Sequence, residues 1–210
     1  MDPRRQRFPA ETRSALVDVA VRLFTEGGYA ATSLDAIVAG AEVSKGALYH
    51  HFSGKQAIFE AALEQVEQRA TLGIAAAADG HDDPWEQAHA GLRAFLQAVQ
   101  EPGYRQIVVS DGPSVLGPER FREQESRSTY AVVHQVVRSL LAATDGGRDA
   151  AMVDTFARIF FGAMSAVGGS VAVSDDPTAA AVRAETAVGM VLAGLRQVVE
   201  HGDPVLDPTP

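Results

Sequence analysis

The sequence predicts an all-α protein of about nine helices, with a small N-terminal helix-turn-helix domain followed by a larger helical body. Three observations support this fold class. Apolar residues recur at helical spacing, residues that cap helices stand at the ends of these runs, and no run alternates in the manner of strands joined by hairpins. With 210 residues, 46% of them hydrophobic, and a mean hydropathy of −0.02, the chain is long enough to bury a core.

The first elements form the N-terminal domain. Residues 1–9 are rich in arginine and proline and lack apolar periodicity, so we expect a flexible basic arm. A first helix follows from Thr12 to Thr25, and Gly27-Gly28 is expected to end it because glycine accepts a left-handed C-terminal cap. Its apolar stripe consists of Ala15, Leu16, Val19, Ala20, Leu23 and Phe24.

Two short helices come next. Thr32 and Ser33 offer an N-cap for the second helix, residues 40–43 make a turn, and Ser44 caps a third helix of about two turns. Ser53-Gly54-Lys55-Gln56 has the pattern of a capping box and starts a fourth helix, which extends toward Ala78.

The body begins beyond a break at residues 79–84. Helices are expected at about 84–100, 104–110, 118–143, 148–173 and 177–200. The expected division is an arm at 1–9, a first helical domain at 10–56, a second and larger helical domain at 57–201, and a disordered tail at 202–210.

Charge is distributed unevenly along the chain. The net charge is −9, but residues 1–56 carry seven cations and six anions, which leaves −10 on the remainder. An acidic body avoids DNA while the N-terminal part approaches it. The absence of cysteine excludes disulfides and thiolate metal sites, and no apolar run of bilayer-spanning length or signal peptide is evident. We therefore expect a cytoplasmic protein without a cofactor.

The third helix is too short and polar to fill a core, and its residue types suit a surface that contacts DNA. Free N–H groups at capped helix starts bind phosphate oxygens. We expect Thr32, Ser33, Ser44, Tyr49, His50 and Lys55 to contact phosphates, Gly46 to allow close approach, and Lys45, Ala47 and His50 to read bases. Arg4, Arg5 and Arg7 of the arm are expected to reach a neighbouring minor groove.

Residues 12–59 resemble the N-terminal domain of the TetR family of bacterial transcriptional regulators. The resemblance rests on Leu23 to Tyr29, Thr32-Ser33, Val43 to Phe52, and Lys55. It implies an all-α homodimer with a DNA-binding head and a ligand-binding body, which usually represses transcription until a small molecule binds. Two-fold symmetry then requires a palindromic double-stranded operator.

Two further segments bear on this resemblance. The turn before the third helix commonly carries glycine in such domains, whereas this chain has Glu42, which costs on the order of 1 kcal/mol if the backbone there is left-handed. The segment from Val109 to Gly117 resembles a connection found in some actinobacterial members of the family.

Two sets of residues in the body are candidate sites, each with a structural alternative. Aromatic, histidine and methionine side chains suit either an effector pocket or an ordinary core: Trp85, His89, Phe95, Tyr130, His134, Phe156, Phe160 and Met164. Small residues crowd the last two helices and suit either close packing within one subunit or a four-helix dimer interface: Gly162, Ala166, Gly169, Ala187 and Gly194.

Other functions fit the sequence less well. His50 and His51 are adjacent on a helix and do not share a face, so a metal site is not expected there. No nucleophile and base stand at a workable spacing, which disfavours an all-α enzyme. A dimeric DNA-binding regulator that needs no effector stays open as an alternative.

Overall fold

The structure is a computed structural model that describes residues 9–142, 147 and 149–201. For residues 9, 125–128 and 201 it describes the backbone only. The described residues are predominantly helical and contain no strand, as predicted. The arm residues Arg4, Arg5 and Arg7 and the expected tail at 202–210 lie outside the described residues.

The described residues form ten α-helices and one π-helical segment. They are α1 (Pro9–Ala31), α2 (Leu34–Gly40), α3 (Lys45–His51), α4 (Lys55–Asp79), α5 (Pro84–Ala98), the π-helical segment (Tyr104–Asp111), α6 (Gly112–Leu116), α7 (Pro118–Ser128), α8 (Tyr130–Leu141), α9 (Ala150–Ala172) and α10 (Pro177–His201). Helix α1 is interrupted at Gly28, whose φ of 72° and ψ of 172° are not helical, so the predicted glycine break is confirmed.

The chain divides into two compact units, and the division differs from the boundary that the sequence suggests. Unit 1 comprises Met1–Gln68 and Pro102–Gln124, and unit 2 comprises Arg69–Glu101 and Glu125–Pro210. Unit 1 therefore includes the π-helical segment, α6 and α7, because Ile107 and Val108 are buried in the same core as Phe24 and Phe59.

The core of unit 1 holds the short helices α2 and α3 against the longer helix α1. Each presents one apolar face inward, and the fully buried side chains include Leu16 and Phe24 of α1, Ile37 of α2, and Leu48 of α3. Phe24, Tyr29 and Phe59 also form an aromatic cluster with ring centroids 5.1–5.9 Å apart. Such pairs add to the free energy of apolar burial.

Unit 2 packs α8 against α9 and packs α5 against α8 and α10. Trp85, Leu140 and Leu192 form one buried cluster, and Val137, Leu141, Val153 and Ala157 form another. The single helix expected at about 118–143 is wrong, since the chain breaks at Thr129 between α7 and α8. Neither glycine nor proline marks this break, which follows shortly after the boundary between the two units at Gln124 and Glu125.

Candidate nucleic-acid interface and cavity

Two serine caps fix the starts of α2 and α3. The Ser33 hydroxyl oxygen accepts a hydrogen bond from the Ala36 N–H at 3.1 Å, and the Ser44 hydroxyl oxygen accepts one from the Ala47 N–H, also at 3.1 Å. Both caps were predicted and are confirmed. Each leaves further N–H groups of the first turn without a helical partner, which is the arrangement that attracts phosphate.

Helix α3 is held by one face and presents the other outward. Leu48 is fully buried and Phe52 nearly so, whereas Lys45, Gly46, Tyr49 and His50 are exposed. Tyr49 is 53% exposed, which is unusual for so large an apolar ring in a folded chain. The predicted DNA-contacting residues of α3 thus share one solvent-facing surface, apart from the half-buried Ala47.

Gly46 has no packing reason to be glycine. A Cβ built there would meet only the Ser44 hydroxyl oxygen, at 3.8 Å, which is ordinary van der Waals contact. Glycine within a helix is less favourable than alanine by about 1 kcal/mol. Packing within unit 1 therefore does not explain this glycine.

The two lysines of the chain already have partners within unit 1. Lys45 Nζ lies 2.7 Å from the Asp35 carboxylate of α2, and this hydrogen bond together with the attraction of the carboxylate raises the pKa of Lys45. Lys55 Nζ donates to the Ala30 carbonyl at 3.3 Å and lies 4.3 Å from the centre of the Tyr29 ring. Both contacts are accessible to water, so phosphates can replace them at modest cost.

The hydroxyl of Thr32 is directed inward. Thr32 is 6% exposed, and its hydroxyl lies within hydrogen-bond distance of the Gly28 carbonyl at 2.9 Å and the Leu23 carbonyl at 3.2 Å. This hydroxyl therefore helps to close α1 at the Gly28 interruption. The phosphate contact predicted for the Thr32 hydroxyl is therefore not supported, and the backbone of Thr32 is the part that can still contact a phosphate.

The turn between α2 and α3 has the conformation anticipated for a glycine. Glu42 has a φ of 54°, and among the described residues it is the one non-glycine with a positive φ. Its N–H donates to the Ala39 carbonyl at 3.2 Å, and its side chain is exposed. The left-handed backbone at Glu42 is thus confirmed, together with the strain that it implies.

A carboxylate from a distant part of the sequence reaches the end of α1. Asp111 Oδ2 accepts a hydrogen bond from the Tyr29 N–H at 2.8 Å and lies 3.1 Å from Gln106 Nε2. Gln56, which was expected to complete a capping box, donates to the Val115 carbonyl at 3.2 Å instead. The segment from Val109 to Gly117 is therefore bound to the three-helix head within unit 1.

Unit 2 contains an apolar cavity of about 90 Å³. It lies among α4, α5, α8, α9 and α10, and much of its wall comes from Leu92, Val133, Val136 and Leu192. Of the eight predicted pocket residues, Phe95, Phe160 and Met164 line this cavity, whereas Trp85, His89, Tyr130, His134 and Phe156 do not.

Tyr130 belongs to a separate polar cluster between α8 and α9. Its hydroxyl donates to Asp154 Oδ1 at 2.5 Å, and Arg158 Nε donates to Asp154 Oδ2 at 2.8 Å. The bond from Tyr130, followed by that from Arg158, lowers the pKa of Asp154, and the same bond raises the pKa of Tyr130. These polar groups satisfy one another, which explains why Tyr130 is not available to a ligand in the cavity.

An exposed apolar surface runs along α9 and α10. Ile159 is 61% exposed and Met190 70% exposed, and Gly162, Gly169 and Gly194 lie beside such residues with no atom within 4 Å of an added Cβ.

By length and composition, Ala150–Ala172 and Pro177–Glu200 are apolar enough to cross a membrane. The expectation that no apolar segment of bilayer-spanning length exists is therefore corrected, since alanine and the larger aliphatic residues give both helices a high average hydropathy despite their charged residues.

Comparisons with known proteins agree on one family. Residues 16–62 match the model of the bacterial regulatory proteins of the tetR family, and residues 85–195, more than half of the chain, match the tetracyclin repressor-like C-terminal domain. Curated relatives include the transcriptional regulator AcrR of Shigella flexneri, 44% identical over 131 residues, and the transcriptional activator FasR of Mycolicibacterium smegmatis, 32% identical over 111 residues. These matches cover 62% and 51% of this chain, and the chain spans 57% and 51% of the lengths of the two relatives.

Solved structures extend the likeness over nearly the whole chain. A TetR-family transcriptional regulator from Pectobacterium atrosepticum is 28% identical with a TM-score of 0.73, covering 91% of this chain and 97% of that one. RolR in complex with resorcinol is 21% identical with a TM-score of 0.61, covering 93% and 96%, and supports the fold alone. The chain therefore belongs to the TetR family of bacterial transcriptional regulators.

Proposed function

We propose that this chain is a sequence-specific DNA-binding regulator, a repressor that a small-molecule effector releases from its operator. The observation that carries the DNA-binding part is the outward face of α3, where an unnecessary glycine adjoins a lysine and is followed one turn on by an exposed tyrosine. Because it binds chromosomal DNA, the protein acts in the cytoplasm.

In this proposal, α3 enters the major groove and the capped starts of α2 and α3 hold phosphates on either side. Lys45 exchanges Asp35 for the DNA, Tyr49 and His50 extend to the backbone, and Ala47 contacts a base. Lys55 holds a phosphate from the start of α4. The basic arm with Arg4, Arg5 and Arg7 reaches the adjacent minor groove.

The proposed operator is a palindrome bound by a homodimer. The exposed apolar surface of α9 and α10 supports a dimer, since contiguous apolar surface marks an interaction site and small residues allow two helices to approach closely. In this arrangement Gly162, Ala166 and Gly169 of α9 face Ala187 and Gly194 of α10 across the two-fold axis.

The cavity of unit 2 supports release by an effector. Helix α5, which contributes Leu92 and Phe95 to the wall, leads through residues 99–103 into the π-helical segment of unit 1. Helix α4, which contributes Ile74, continues from unit 1 into unit 2. A ligand that favours one position of these helices changes the separation of the two recognition helices, and DNA affinity changes with it.

The DNA-binding surface is tested by titrating an operator selected from random duplexes. Tyr49→Ala and Lys55→Ala should each weaken binding at least tenfold, and Lys55→Ala should also lower the salt slope by about one per subunit. Arg138→Ala, which removes an exposed cation from α8, is the control and should leave both quantities unchanged. Unchanged operator affinity in both test variants would show that this surface does not bind DNA.

The dimer is tested by sedimentation of Gly162→Arg, which has room within its own chain and should remain folded but become monomeric. Gln135→Arg places the same charge on the exposed side of α8 and should stay dimeric.

Repression is tested with a reporter gene behind the operator, whose expression should rise when the regulator is deleted. If reporter expression falls when the regulator is deleted, the protein is an activator and the proposal of repression is wrong.

A further inference from the structure

The wall of the cavity in unit 2 carries no charged side chain. Thirteen of its fifteen residues are apolar or glycine, and the other two are Gln87 and Thr129. A charged ligand placed there would lose its hydration without gaining an ionic partner, which is unfavourable for either sign of charge. The chemistry of the wall therefore selects against ions.

The two polar residues of the wall are engaged elsewhere. Gln87 Nε2 donates to the His81 carbonyl at 2.8 Å, and the Thr129 hydroxyl lies 3.5 Å from the Thr71 hydroxyl. A ligand hydroxyl or amide that enters the cavity would therefore compete with these contacts for the two polar side chains of an otherwise apolar wall. Polar ligands of the same size are disfavoured for this reason.

Gly91 supplies a second, independent observation. It is buried in the interior of α5, and a Cβ built there would lie 3.8 Å from Ile74 Cγ2 and 3.9 Å from Ala78 Cβ, which are ordinary contacts. Alanine would therefore fit and would favour the helix. Gly168 is different, because its Cβ would lie 2.5 Å from Phe95 Cζ. Packing does not require glycine at position 91, which lies on the wall of the cavity.

We propose that this cavity binds an uncharged, apolar molecule of about the size of one aromatic ring, recognised by shape and dispersion rather than by hydrogen bonds. The volume of about 90 Å³ is smaller than that of a dry cavity of about 150 Å³ which accommodates benzene in another protein, so one aromatic ring is the upper limit of the proposed size. This inference specifies the ligand class of the effector site and rests on the proposed function.

The test compares four probes of similar size on the full-length protein: toluene, benzoate, benzylammonium and resorcinol. Calorimetric titration should give a Kd for toluene at least tenfold below that of each of the other three. Equal or tighter binding of a charged probe or of resorcinol would overturn the proposal, and so would failure of all four to bind.

Variants place the binding in this cavity. Gly91→Ala should weaken toluene binding several-fold, and Val136→Phe, which fills the space from α8, should abolish it. Gly73→Ala is the matched control, because Gly73 lies on α4 with nothing within 4 Å of an added Cβ and does not line the cavity. Toluene affinity that survives in both Gly91→Ala and Val136→Phe would place the ligand elsewhere and overturn the proposal.

Operator titrations separate this proposal from the proposed function. If toluene binds with the expected preference but leaves operator affinity unchanged, the ligand class stands and the release mechanism fails. If instead benzoate or benzylammonium binds in the cavity and releases the operator while toluene does neither, the release mechanism stands and the ligand class is wrong.

Discussion

Replacing Glu42 by glycine tests the turn between α2 and α3, where the φ of 54° places a side chain in a left-handed backbone. Removing the strain of this conformation raises the free energy of unfolding by roughly 1–2 kcal/mol. The greater freedom of glycine in the unfolded chain lowers it by roughly 0.5–1 kcal/mol. The net gain in the free energy of unfolding is about 0.5–1 kcal/mol. At roughly 2–4 °C per kcal/mol for a chain of this size, the thermal midpoint should rise by about 1–4 °C.

The same substitution removes a carboxylate beside the DNA-binding helix. At a separation of about 8 Å in water, one unit charge repels a phosphate by about 0.5 kcal/mol, or about twofold in affinity. Glu42→Ala removes the charge but keeps a Cβ in the left-handed backbone. Both variants should therefore bind the operator about twofold more tightly at low salt, an advantage that shrinks as salt is added.

Thermal scans and operator titrations of the three proteins separate the two effects. Glu42→Gly should melt above Glu42→Ala, and Glu42→Ala should melt within about 1 °C of the parent protein. Equal midpoints for the two variants would refute the reasoning from backbone strain. A difference between their operator affinities would refute the reasoning from charge.

Three more predictions follow from the described contacts. Gly46→Ala should raise the free energy of unfolding by about 0.5–1 kcal/mol yet weaken operator binding, whereas Gly73→Ala should give only the first effect; a tighter complex with Gly46→Ala would contradict the role given to this glycine. Asp111→Ala leaves the Tyr29 N–H without its acceptor and should cost about 1–3 kcal/mol in urea unfolding, against no change for the exposed Ser110→Ala. Because the pKa of Asp154 is lowered in the folded chain, its bond to Tyr130 stabilises the protein above the unfolded pKa of about 3.9 and is lost as pH falls through the lower folded value. Asp154→Asn should thus flatten the fall of the thermal midpoint as the pH drops below about 4, while Asp175→Asn should not.

Local signals in the sequence were sufficient for the DNA-binding head. Ser33 and Ser44 act on N–H groups three residues away, so their caps can be read directly from the chain. The left-handed turn was recognisable because the family pattern places glycine at Glu42. The inward orientation of the Thr32 hydroxyl could not be predicted from the sequence. It depends on where the carbonyls of Leu23 and Gly28 lie after α1 has been interrupted.

Contacts between distant segments escaped the sequence for a different reason. The bond from Tyr29 to Asp111 spans 82 positions, and neither residue carries a local sign of it. The cavity was likewise only partly predicted. Its wall uses Val132, Val133 and Val136 of α8, whose spacing is the same as that of any buried helical face. The prediction was based on aromatic residues, whereas the cavity lies where aliphatic side chains of neighbouring helices leave space unfilled.

Three helical glycines that packing does not require lie on the surfaces proposed to be functional, whereas Gly73, which packing does not require either, lies on none of them. Gly168 is needed because Phe95 occupies the space of its Cβ, and Gly28 is needed for its positive φ. Gly46, Gly91 and Gly162 have neither reason, yet each stands in a helix where alanine would be more favourable. The first lies on the exposed face of α3, the second on the wall of the cavity and the third on the apolar surface of α9. Because alanine would be more favourable at all three, their positions are consistent with the proposed close approach of DNA, an apolar ligand and a second subunit, and the substitutions described above test each one.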